Sequence, residues 1–142
     1  MAIEITELRR RIRVAIELAK KNSAARRARS DAAAKDYETF LGQVAVPAVQ
    51  RFASAMTGEG HIFQVATPAG SVRLTSGSSP DDYIELLLDT TQDPPEVIAR
   101  TNKGRGRRVV TSERPVRERT AISELTDEDV VTLLLQEVTA FL

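Results

Sequence analysis

Cysteine is absent from this 142-residue chain, and histidine occurs once, at His61. The first absence excludes disulfides, thiolate metal sites and cysteine nucleophiles. The second excludes histidine-rich metal clusters and leaves nucleophilic triads without an obvious base. Tryptophan is also missing, and Tyr 2 and Phe 4 are the only other aromatics. A base-stacking platform of the kind used by RNA and single-strand modules is therefore not expected. No apolar run approaches the length of a signal peptide or a membrane span, which points to a soluble, cytoplasmic protein with no membrane partner. An excess of one charge is lacking too. Lys plus Arg number 20 and Asp plus Glu number 20, so overall charge does not recruit polyanions.

What is present is enough apolar side chain, 42%, for a real core in one domain. The zero net charge is a cancellation of blocks. Residues 1–58 hold 11 basic and 6 acidic side chains, and residues 59–95 hold 1 basic and 6 acidic. Residues 96–120 hold 8 basic and 3 acidic, and residues 121–142 hold none basic and 5 acidic. Such blocks either neutralise one another across surface contacts or meet a second copy or an outside partner.

From Glu4 to Leu41 there is neither Gly nor Pro, and Ala, Arg, Leu, Lys and Glu dominate. These are helix formers, and they predict one long helix. Ile5, Leu8, Ile12, Ala15, Ile16 and Ala19 make an apolar stripe at three- and four-residue spacing. After an alanine-rich basic middle, a second stripe follows at Tyr37, Phe40, Leu41, Val44, Ala48, Phe52, Ala55 and Met56. Pro47 falls inside it and should kink or restart the helix. A continuous helix over residues 4–41 is about 57 Å long, more than one body of this size covers. It must project, break between residues 22 and 31 to form an antiparallel hairpin, or lie along a second subunit. Nothing else in the chain is reserved for the first stripe, so Ile5, Leu8, Ile12, Ala15 and Ala19 are expected to form a homo-oligomer interface, most simply a dimer.

Beyond the Gly-Glu-Gly break at 58–60, strand patterns cover residues 61–67, 71–76, 83–89, 96–101 and 107–111. Their short connections exclude parallel crossovers and predict an antiparallel meander. Residues 102–106 are expected as the last hairpin turn. The chain closes in a marked helix: Thr126 and Asp129 make a capping-box pattern, and Leu125 and Val130 hold the staple positions. Val130, Val131, Leu134, Leu135, Val138, Phe141 and Leu142 form the face expected to cover the sheet.

Little here carries chemistry. His61 stands at a strand start with no motif around it. Asp81–Asp82 and Asp127–Glu128–Asp129 fit a loop and a helix cap and match no calcium-loop spacing. No metal or cofactor is expected. The run from Lys103 to Arg108 has glycines but is followed by a strand, which excludes a P-loop. Lys103, Arg105, Arg107 and Arg108 are candidates for contact with nucleic-acid phosphates or an acidic partner. Arginine clusters at 9–13 and 26–29 lack the accompanying Asn, Gln, Ser and Thr that read base edges.

The expectation is thus an α+β protein: an N-terminal helical arm (1–58, kinked near Pro47), then a five-stranded antiparallel sheet with a C-terminal helix packed on it (59–142), folding as one unit. Its expected role is non-enzymatic, a self-associating adaptor or accessory protein with a protein partner. The alternative is nucleic-acid binding through the basic first helix and the 103–108 hairpin.

Overall fold

A computed structural model describes residues 1–142 and has this α+β architecture. Helix α1 (Ile5–Phe40) passes through a π-helical turn, Leu41–Ala45, into α2 (Val46–Gly58). Strands β1 (Phe63–Ala66), β2 (Ser71–Ser76), β3 (Tyr83–Asp89), β4 (Glu96–Arg105) and β5 (Arg108–Pro115) pair antiparallel in sequence order. A short 3-10 turn (Ile122–Glu124) precedes α3 (Asp127–Val138). No helix is long and apolar enough to cross a membrane.

The first helix neither breaks at residues 22–31 nor folds back. Its 36 residues extend about 54 Å. The expected kink at Pro47 takes the form of the wide turn just before it. A proline ring clashes with the carbonyl four residues back and removes one hydrogen bond. The π turn over Leu41–Ala45 accommodates both, and Pro47 falls at the start of α2.

One face of the sheet packs on the helices. Val72, Leu74, Ile84, Leu86, Val97 and Ala99 are all buried there. Ala45, Ala48, Val49 and Phe52 cover them from α2 and the turn before it, and Val130, Leu133, Leu134 and Val138 from α3. The last two turns of α1 join the same core through Ala33, Tyr37 and Phe40. α2 lies over β1 and β2 and against α3. The Thr126–Asp129 capping box forms in both directions, at 3.3 and 3.0 Å, and fixes where α3 starts.

Two expectations about α3 are corrected. Leu135 and Leu142 are exposed, whereas Leu133, outside the expected face, is buried. Glu137 explains the rotation: it pairs with Arg114 at 2.9 Å and accepts from Thr101 Oγ1 at 3.0 Å. That turns the 133–137 flank toward the sheet and the 131–135 flank away from β5. The last hairpin also differs. β4 continues to Arg105 and β5 begins at Arg108, leaving Gly106 and Arg107 as a two-residue turn. Gly106 has φ of +62° and Arg107 is not left-handed, the pattern of a II′ turn with glycine first.

Across the opposite sheet face, Arg73, Glu85, Arg100 and Glu113 stand side by side on four successive strands. Arg73 pairs with Glu85 at 3.1 Å and Arg100 with Glu113 at 3.3 Å. Cross-strand opposite charges of this kind favour one register over its neighbours.

Candidate functional site

Everything from Ile5 to Arg29 is exposed except Glu7, which is partly covered. This length of α1 is an arm that leaves the body at Arg29. Ile5, Leu8 and Ile12 are 73%, 42% and 49% exposed, and Ala15 and Ala19 lie open on the same side. Ile16 extends the stripe. Val14 and Leu18, on the far side of the helix, are exposed as well and were not singled out by the stripe pattern. Spacing reveals one face at a time, and two valine- and leucine-sized residues on the other face fall below that signal.

The arm stays helical without burial because its sequence supplies local support. Glu4 gives no side-chain cap. One turn in, Glu7 accepts two hydrogen bonds from Arg10, at 3.0 and 2.7 Å, and one from Arg11 at 3.2 Å. Spacings of three and four residues are those that stabilise a helix surface. The Arg10 and then Arg11 hydrogen bonds hold the Glu7 carboxyl below the usual carboxylate range. At the arm's root, Arg29 grips Asp93 of the β3–β4 loop at 2.9 and 2.8 Å, and Arg26 approaches it at 3.6 Å. Arg9, Arg13, Lys20, Lys21 and Arg27 have no carboxylate partner.

The structure does not bring the four hairpin cations together as a set. Lys103 lies within β4, and its ammonium donates to the carbonyl of Ala140 just past α3. Arg105, Arg107 and Arg108 remain at the tip, exposed and without ion pairs. Arg105 and Arg108 are directly opposite in register, an unfavourable like-charge pair. Close by, Asp82 accepts from the Gly104 amide at 2.9 Å.

His61 is exposed, and its backbone amide caps the end of α2 by donating to Met56. No group of three or more His, Cys, Asp or Glu side chains is placed to hold a metal ion. A cleft of about 610 Å³ beside the arm's root is lined by Arg29, Asp36, Asp93, Pro94 and Arg119, among others. Its Arg29 and Asp93 are already spent on each other. Arg119 adopts φ of 54°, which shapes the cleft wall. No family model, no curated protein and no solved structure matches this chain.

Proposed function

We propose that this protein is a non-enzymatic, self-associating adaptor or accessory subunit that works through protein contacts made by its arm. The observation that carries this reading is the stripe Ile5–Leu8–Ile12–Ile16, which no other part of the chain covers. Isolated helices are marginal in water, and helices in proteins gain most of their stability by packing an apolar face. Burying a Leu or Ile contributes about 1.5–3 kcal/mol. Four such residues on each of two arms reach the scale of the roughly 4–15 kcal/mol that association costs.

Sedimentation of the wild type and of the Leu8→Asp, Ile12→Asp variant tests it. The wild type should sediment as an oligomer and the variant as a monomer with unchanged sheet structure. A wild-type monomer at high concentration overturns the reading.

A second reading, contact with nucleic-acid phosphates, is favoured by the uncompensated Arg105–Arg108 pair beside Arg107. The adjoining Asp81 and Asp82 oppose it. If it holds, binding falls steeply with salt, and neutralising the three arginines lowers the logarithmic slope by about 3.

A further inference from the structure

We infer that the arm of one molecule docks on α3 of a second copy, running antiparallel to it, so that two chains exchange arms. This rests on the reading that the arm self-associates and names the surface that receives it.

The arm is a poor partner for another arm. Residues 5–29 carry nine basic side chains and two acidic ones, so two arms side by side repel. The complementary surface is elsewhere on the molecule. From residue 121 to 142 there are five carboxylates and no cation. Of these, Glu137 and Asp129 are held by Arg114 and Arg117, leaving Glu124, Asp127 and Glu128 without a basic partner. No arm cation pairs with an α3 carboxylate of its own chain, because α1 runs straight out from the body.

The apolar parts match as well. Glu137, Gln136 and Asp129 meet Thr101, Arg114 and Arg117, which turns one flank of α3 toward β5. The other flank presents Val131, half-buried, and Leu135, 55% exposed, with Leu142 beyond it at 63%. Along this flank carboxylates come first and aliphatic side chains last. Along the arm the order is reversed: the large aliphatic residues Ile5, Leu8 and Ile12 come first, interleaved with the arginines from Arg9 to Arg13, and Lys20, Lys21, Arg26 and Arg27 follow. An antiparallel arrangement therefore sets Leu8 and Ile12 near Leu135 and Leu142 while Lys20, on the flank of the same stripe, approaches Glu128 and Asp127. The spacings agree: Leu135 to Glu128 is about 10 Å along a helix and Ile12 to Lys20 about 12 Å. The final turn of α3 has no basic residue of its own, and Lys103 of the same chain reaches its end, at the Ala140 carbonyl. Arg9 and Arg13 of the incoming arm add to the positive charge at that negative helix end. A reciprocal exchange closes as a two-fold dimer.

Salt separates the two possible receptors. Raising it from about 0.05 to about 0.5 M screens attraction and repulsion alike. An arm on α3 is weakened, and an arm on an arm is strengthened. The second arm of the test replaces Leu135 by Lys, an exposed position whose change leaves the monomer folded; the dimer's Kd should rise tenfold or more. The third uses the absence of cysteine. A Leu8→Cys chain mixed with a Leu135→Cys chain, treated with a short bismaleimide, should give a product linking the two different chains. An assembly that tightens with salt, ignores Leu135→Lys and links Leu8→Cys chains only to each other overturns the inference and leaves arm self-association standing. A wild type that is monomeric throughout overturns both.

Discussion

Arg29 holds Asp93 through two parallel hydrogen bonds, tying the point where α1 leaves the body to the loop between β3 and β4. The Arg29 hydrogen bonds, reinforced by the charges of Arg29 and Arg26, keep the Asp93 carboxyl below its ordinary value. A lowered folded-state value means the pair supports the fold at any pH above the ordinary carboxylate range. That support is lost as pH falls through the lowered value. Amide exchange at residues 29–36, taken relative to the intrinsic rate at each pH, should therefore accelerate on acidification below about pH 4. In Asp93→Asn it should already be faster at neutral pH and respond less to acid. Equal exchange in both proteins at neutral pH would show that the pair does not anchor the arm.

Tyr37 gives an alkaline counterpart. Its hydroxyl donates to the Gly70 carbonyl at 2.5 Å, and burial, with the charge of Glu85 adding to it, pushes the phenol up to about 12. An unfolded tyrosine ionises near 10. The fold thus favours the neutral phenol, and its contribution is complete below about pH 10 and lost as pH rises to about 12. Tyr37→Phe should cost about 0.5–1.5 kcal/mol at neutral pH and flatten this alkaline loss in denaturant titrations. A parallel decline in both proteins would remove Tyr37 as its source.

The core and the rim of α3 should respond very differently to truncation. Leu86→Ala and Leu134→Ala open cavities at side chains only 1% exposed, and each should cost about 2–5 kcal/mol. Phe52→Ala, on α2, should cost about 3–5 kcal/mol. Leu135→Ala should stay within about 0.5 kcal/mol when measured on the monomer. A melting midpoint unmoved by Leu86→Ala or Phe52→Ala would contradict the packing of the helices on the sheet.

Gly77 is fixed by a close approach. A Cβ there would lie 2.9 Å from the Ile62 carbonyl oxygen, which accepts from the Gly77 amide at 2.8 Å. The obstruction is backbone, so Gly77→Ala must displace the entry to β1, at about 1–3 kcal/mol. A thermal melt indistinguishable from wild type would show that this entry yields freely.

Much of this fold is legible in the residues. The absence of Gly and Pro from 4 to 41 marks the long helix, Thr126 and Asp129 mark the start of α3, and the short polar connections mark the meander. The second stripe is only half legible. Tyr37, Phe40, Ala48 and Phe52 are buried as its spacing requires, yet Ala55 is exposed and Ala45, Val49 and Ala53 are buried. The π turn inserts an extra residue, rotating everything after it by about 100° relative to an unbroken 3.6-residue period. Sequence spacing carries no mark of that insertion beyond Gly42 and Pro47. The arm's stripe stood out because nothing interrupts its period. The fate of Lys103 did not, because the contact it makes, at Ala140, depends on how α3 is laid across the sheet.

The union of α1 and α2 through the buried turn at Ala45 gives the molecule a mechanical property. A flexible linker would let the arm swing, and a partner held at Leu8 would be merely tethered. Here the helical backbone continues from Ile5 to Gly58 and is clamped by Phe40, Ala45 and Phe52 in the core. The arm is a strut, and whatever binds its outer end is held at a set distance and angle from the sheet.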